Sequence, residues 1–274
     1  MKLTYLGTGA SEAIPALYCS CKICENARRM GGREIRSRHM TLVDSDIQFD
    51  LPPDFFYHIT ALGFEPRHVR HMIITHAHSD HFIPDHLNTR RHPFSLTEVA
   101  RCQLICNHQT ALQAKAALEA SCDDLGLDLL EIAPYSPITL DEHTALTALP
   151  AHHAPEAGGG YIYLLSRGGR SLLYAHDTGI PADEVFEYLM GRAIDAVSLD
   201  CTGAYLGAGE HHLHLPGCER MVSRLREIGA LKDNAVVILD HFSHGGGATQ
   251  ADLEKEAQKR GWIAAHDGMT VEIG

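Results

Sequence analysis

Short apolar runs alternate with longer amphipathic stretches along the whole chain. The runs Lys2–Leu6, Met40–Val43, Ile47–Leu51, His71–Thr75, Arg101–Cys106 and Leu129–Ile132 are mostly rich in Val, Ile, Leu, Tyr and Thr. Leu146–Pro150, Gly160–Ser166, Ser171–Ala175, Ala193–Asp200, Ala235–Asp240 and Met269–Ile273 share that character. Most stop at Gly, Pro, Asp or His, which predicts strands. Helical spacing of apolar positions predicts helices over Pro52–Leu62, His108–Ala120, Ala182–Met190, Gly217–Ile228 and Thr249–Arg260. The last has a sharp start, Thr249 followed by Asp252 and Glu254, with Gly261 beyond its end. Strands and helices mixed this way predict an α/β (α+β) layered protein. Neither a linker nor a repeat interrupts the pattern, so residues 1–274 read as a single domain.

Composition supports that picture and narrows the compartment. Apolar residues make up 45% and charged residues 21% of the chain, the balance of a soluble globular protein. No apolar run approaches about 18 residues, so no membrane-spanning helix is expected. Met1 leads straight into a predicted strand, so no secretion signal is expected. A cytoplasmic location with reduced thiols follows as the expectation. The net charge of −12 argues against a large nucleic acid as partner, because such binding needs Lys and Arg on phosphates. One basic stretch stands out, with Arg28, Arg29, Arg33, Arg36 and Arg38. It reads either as a solvated helix face and loop or as a site for a phosphate remote from the reaction.

Histidine changes the picture. The chain has 20 His, spread from His39 to His266, so the excess is not a tag. Histidine is the commonest metal ligand and a ready proton carrier near neutral pH. After the apolar run Met72-Ile73-Ile74 comes Thr75-His76-Ala77-His78-Ser79-Asp80-His81. In an extended stretch His76 and His78 share a side, and a helical turn after them would bring Asp80 and His81 round to a second position. One such His is commonly structural, but four ligand-type residues together are not expected by chance. Three later runs have the same form: Leu149-Pro150 leads to His152-His153, Ala175 to His176-Asp177, and Leu239-Asp240 to His241 and His244. Ligands delivered from strand ends on one sheet edge can converge on one cleft. Separately, Cys19, Cys21 and Cys24 place three thiols on a short loop, a cluster that wants one more Cys or His to hold zinc.

The run His76-x-His78-x-Asp80-His81, followed by single ligands from three later strands, resembles the metallo-β-lactamase superfamily. Thr4-Tyr5-Leu6-Gly7-Thr8-Gly9, the Cys trio and His241-Phe242-Ser243-His244 narrow the similarity. Together they resemble the phosphodiesterases of the carbon–phosphorus lyase pathway, which open 5-phosphoribosyl 1,2-cyclic phosphate. The resemblance implies a four-layer αββα sandwich. It implies two divalent ions, one on His76, His78 and His153, the other on Asp80, His81 and His241, with Asp177 bridging; that mix of imidazole and carboxylate suits Zn, Mn or Fe. A structural Zn on Cys19, Cys21, Cys24 and His244 is implied as well. His153 competes with His152 for its place. The family also has a catalytic His near Glu210–Leu215, for which His212 fits best and His211 and His214 compete. His212 and Asp80 are the residues expected to carry the chemistry. Two ions about 3.5–4 Å apart can activate a water for in-line attack on phosphorus.

The implied partner is a small, cyclic phosphodiester; a homodimer stays open. Three rival readings share the metal residues or the Cys trio. A tRNA 3′-end nuclease would need a basic arm that is not evident, and a thioester or lactone hydrolase would not need the Cys trio. A non-catalytic accessory protein of cofactor biosynthesis would not need every ligand position filled.

Overall fold

The computed structural model describes residues 1–155, 158–207 and 209–274. Strands β1 (Lys2–Gly7), β2 (Met40–Val43), β3 (Ile47–Phe49), β4 (His71–Ile73), β5 (Cys102–Cys106) and β6 (Leu127–Glu131) build one sheet. Helices α1 (Lys22–Met30), α2 (Phe55–Leu62) and α3 (His108–Ala117) are interleaved with them. A second sheet holds β7 (Ile138–Asp141), β8 (Thr144–Pro150), β9 (Tyr161–Arg167), β10 (Arg170–Ala175), β11 (Ile194–Asp200), β12 (Leu231–Asp240) and β13 (Ile263–Ala264). With it come α4 (Asp183–Leu189), α5 (Leu215–Glu227) and α6 (Gln250–Lys259). The last strand, β14 (Met269–Glu272), returns to pair antiparallel with β1. The orders are β14-β1-β2-β3-β4-β5-β6 and β13-β12-β11-β10-β9-β8-β7.

Alternate residues of the strands face two different cores, which is why the apolar runs read as nearly continuous. On β10, Leu172 and Tyr174 point between the sheets, while Leu173 and Ala175 point to the outer helices. The core between the sheets joins Leu3, Tyr5, Phe49 and Ile105 to Leu146, Tyr163, Leu165 and Tyr174. One outer core packs α5 residues Met221, Val222 and Leu225 on the second sheet. The other packs Ala111 and Ala114 of α3 on the first sheet. The result is helix, sheet, sheet, helix.

Several boundaries differ from expectation for identifiable reasons. Cys24 lies inside α1 and Cys21 caps its start, so the Cys segment is a loop only as far as Cys21. That helix is short and mostly polar and buries only Cys24 and Ala27, too few apolar residues to betray it. Helix α2 starts at Phe55 rather than Pro52, and α3 stops at Ala117 rather than Ala120. Helix α5 starts earlier than Gly217, at Leu215, with Pro216 in its first turn where a missing N–H costs nothing. Strand β12 starts at Leu231 through polar, half-exposed residues, and the edge strands β7 and β13 were not expected. At α6 the Thr249 hydroxyl and the Asp252 carboxylate bond each other's backbone reciprocally, the capping box that fixes its start.

Strands β10, β11 and β12 run parallel, with Ala175 opposite Leu199 and Asp200 opposite Asp240. Their carboxyl ends therefore line up on one rim, where the loop after β4 also arrives.

Candidate metal centre

The loop after β4 does not turn into a helix at Asp80 and His81, since a 3-10 helix begins only at Pro84. It makes a turn in which the N–H groups of His81 and Phe82 both donate to the His78 carbonyl, at 3.1 and 2.9 Å. This turn, rather than helical periodicity, separates His76 and His78 from Asp80 and His81. His76 Nε2 lies 3.0 Å from His78 Nδ1, and His153 Nε2 lies 3.4 Å from that same atom. Nitrogens about 3.3 Å apart are what tetrahedral coordination at about 2.0 Å requires. His76 Nδ1 bonds the Thr75 hydroxyl and His153 Nδ1 bonds the His211 carbonyl, so each ring presents Nε2 to the common point. Burial, and then the neighbouring imidazoles led by His81, hold His76 well below its usual pKa, in the neutral form a ligand needs. His152 is turned away, its Nδ1 at 3.2 Å from the Ile180 carbonyl.

Asp80, His81, Asp177 and His241 form a second group able to hold an ion. His81 Nε2 is 2.5 Å from Asp177 Oδ2 and 3.3 Å from Asp80 Oδ2. Asp177 Oδ2 also lies 3.6 Å from His76 Nε2, so one carboxylate faces both groups. On its far side His81 is held by Asp50, with Nδ1 2.7 Å from Oδ2, and His241 Nδ1 is held by the Thr202 hydroxyl at 2.8 Å. Asp177 Oδ1 has no aligned donor, and His241 Nε2 is buried without a hydrogen-bond partner. Buried polar atoms need one, and a divalent ion fits this donor set. Burial opposes ionisation of Asp177, yet His241, His81 and His76 hold its carboxyl well below the ordinary range. The backbone takes a left-handed conformation at two of these positions, since Asp177 and His241 both have positive φ, +45° and +57°, uncommon for any residue but glycine.

Of the three His in the 210–215 loop, the structure brings His212 to the rim. Its Nδ1 lies 2.9 Å from Asp200 Oδ2 and 3.3 Å from Asp177 Oδ1. Burial would lower its pKa, but the hydrogen bond and charge of Asp200, aided by Asp177, outweigh this and raise it to about 9. The loop is pressed against the 177–179 turn at Gly179, where a Cβ would sit 1.8 Å from the Glu210 carbonyl oxygen. His211 contributes its backbone carbonyl to His153, and His214 caps α5 without joining the group.

Away from the rim, Cys19, Cys21, Cys24 and His244 form a separate group. His244 Nδ1 lies 3.5 Å from Cys19 Sγ and 3.4 Å from Cys21 Sγ. About 3.5 Å is the sulfur–nitrogen separation expected across tetrahedral zinc. Slight burial opposes it, but bonds from the Cys24 N–H and His244 bring the Cys21 thiol down to about 6, favouring thiolate.

A family model described as a β-lactamase superfamily domain matches residues 47–242. The chain belongs to the metallo-β-lactamase superfamily. At that level it is a hydrolase with candidate divalent-metal positions. Solved structures of the same fold include a diphosphatase of the PhnP family, at 22% identity and TM-score 0.73, covering 98% of this chain and 96% of that one. Zn-bound PqqB from Methylobacterium extorquens is similar at 17% identity and TM-score 0.75, covering 99% and 100%. The short form of human tRNase Z shows 17% identity and TM-score 0.67, covering all of both chains. At these identities the likeness is one of fold. No curated protein matches the chain.

In this metallo-β-lactamase fold Arg28, Arg29 and Arg33 are exposed, as a solvated helix face and loop, and Arg36 alone of the basic stretch is buried. Arg36 is buried on Thr8, Gln250 and the Ala265 carbonyl, with its guanidinium 4.4 Å from the centre of the Phe242 ring. Arg28 pairs with Glu25, Arg33 with Glu254 and Arg38 with Asp54. Arg36 is thus neither a solvated face nor a free phosphate grip. The residues that sequence reasoning missed are the supports, Asp50, Thr75, Asp200 and Thr202. Asp50 and Asp200 did carry a signal, an acid at the end of an apolar strand. Among the described residues no helix is long and apolar enough to cross a membrane.

Proposed function

We propose that this chain is a metal-dependent phosphodiesterase for a small, cyclic phosphodiester such as 5-phosphoribosyl 1,2-cyclic phosphate or a 2′,3′-cyclic nucleotide. The observation that carries the reading is the Asp200–His212 pair, set 3.3 Å from the carboxylate that faces both ligand groups. Divalent ions held by His76, His78 and His153 and by Asp80, His81 and His241, with Asp177 between, would activate water and offset charge on phosphoryl oxygens. Within the protein, Asp50, Thr75, Thr202 and the His211 carbonyl fix the ligand rings. Asp200 accepts the His212 Nδ1 proton in a hydrogen bond and so orients the ring, and the doubly protonated imidazole passes its Nε2 proton to the departing alkoxide as general acid, leaving neutral His212 still bonded to Asp200. Asp80 closes the second ligand set beside that path. The thiolate group is a structural Zn position tying Cys19–Cys24 to the end of β12.

The test is hydrolysis of bis(p-nitrophenyl) phosphate and of cyclic ribose phosphates with Mn or Zn added, against thioesters, lactones and a precursor tRNA. Turnover of the small phosphodiesters alone supports the reading. Faster cleavage of the tRNA would favour a nuclease, and no turnover with both ions bound would favour an accessory protein.

A further inference from the structure

Beneath the centre lies a second cluster of ionisable side chains that the chemistry above does not use. His39 and His176 are 1% exposed and Asp240 is fully buried. His39 Nδ1 lies 3.1 Å from Asp240 Oδ2, while His39 Nε2 meets His176 Nδ1 at 2.8 Å and also the Tyr174 hydroxyl. His176 Nε2 continues to the Ser198 hydroxyl at 2.7 Å, which bonds the Tyr5 hydroxyl at 2.7 Å. Asp240 has no aligned hydrogen-bond donor, and its close polar neighbours are His39 and, at 4.0 Å, His176 Nε2. A buried carboxylate so poorly served is costly and calls for an explanation.

Chain order supplies one. His176 immediately precedes Asp177, and Asp240 immediately precedes His241. In both pairs the first side chain meets core partners, Ser198 for His176 and His39 for Asp240, and the second, at positive φ, joins the ligand-type group at the rim. Strands β10 and β12 are not neighbours, since β11 lies between them. His39, just before β2 on the facing sheet, spans that gap by touching both His176 and Asp240. Its ring also packs 6.0 Å from His81 and 5.7 Å from His241, centre to centre. One imidazole therefore contacts the residues behind two candidate ligands and the rings of two candidate ligands.

We infer that His39, Asp240 and His176 form a buried clamp that positions Asp177, His241 and His81 for the second ion. They are positioning residues, and none reaches a substrate. The inference rests on those three residues being ligands, so the test carries His241→Ala as a reference.

Full-length wild type, His39→Ala, His39→Gln, Asp240→Asn and Tyr174→Phe are compared by competition with a chromophoric chelator, using zinc as the probe. Melting of the metal-free proteins and kcat and KM on bis(p-nitrophenyl) phosphate are measured alongside. The clamp predicts that His39→Ala and Asp240→Asn weaken the second zinc about 10- to 100-fold. The first zinc and KM should change little, and excess zinc should restore much of kcat. His39→Gln, which can still bridge two polar partners, should retain more affinity than His39→Ala. Tyr174→Phe deletes one hydroxyl contact and should show a smaller loss of the same sign, which covers the case that His39→Ala fails to fold. Lower melting with unchanged zinc affinity would overturn the clamp in favour of core packing. So would loss of a further zinc with the pair intact, because the cluster would then be an ion site itself. If His241→Ala leaves zinc binding unchanged, the ligand reading has failed and the clamp falls with it.

Discussion

The Cys/His group and the His/Asp groups are assembled by opposite means. Cys19, Cys21 and Cys24 arrive together on one short segment, and only His244 has to be brought from far along the chain. The group is half exposed, and α1 and the Ala16 N–H support it locally. The His/Asp groups collect side chains from the ends of β4, β8, β10 and β12, and all of those side chains except His78 and Asp80 are buried. Four of the candidate ligand imidazoles there have their own support: Asp50 behind His81, Thr75 behind His76, Thr202 behind His241 and the His211 carbonyl behind His153. The half-exposed cysteines are held largely by their own segment. The buried imidazoles, even His76 and His81 that are neighbours in sequence, need partners that fix both tautomer and direction.

That contrast orders the expected consequences of mutation. Replacing a long-range ligand, Asp177→Asn or His153→Ala, should abolish phosphodiester turnover and remove metal while leaving melting nearly unchanged. Steady-state rates and elemental analysis on the same preparation check this, and full metal content in either variant would break the contrast. His212→Gln should cost about 10²–10⁴ in kcat, with metal content intact, because only the proton donor is lost. Gly179→Ala should push the Glu210 backbone away and displace His212; a misplacement of about 1 Å is worth about 10² in rate. A near-normal rate there would mean that the 210–212 loop is not held by this contact. Cys21→Ser should act the other way round. Thermal unfolding should move down, by about 2–4 °C for each kcal/mol of lost zinc binding, while kcat per folded molecule stays within about tenfold.

The same contrast explains what the sequence made legible. His76, His78, Asp80 and His81 were visible because ligand-type residues sit almost side by side at the end of an apolar strand, and the Cys trio because it is nearly consecutive. The layered fold followed from runs such as β9 and β10, whose two faces are both buried. Edge strand β7 was missed because it is four residues with every second one exposed, and α1 because it buries so little. Asp50, Asp200 and His39 were missed for a different reason. Each stands alone in sequence, and its meaning lies in a partner on another strand. The choice between His152 and His153 could not be made from adjacency alone, whereas in space one ring faces His78 and the other faces away.

The most direct test of this division is metal analysis of protein purified without chelators or added metal, run in parallel on wild type, His153→Ala and Cys21→Ser. The account predicts about three ions per chain in the wild type. His153→Ala should retain the thiolate-bound zinc and lose turnover, while Cys21→Ser should lose that zinc and retain the active pair. A wild-type content of about one ion, or loss of all metal from both variants alike, would contradict the account.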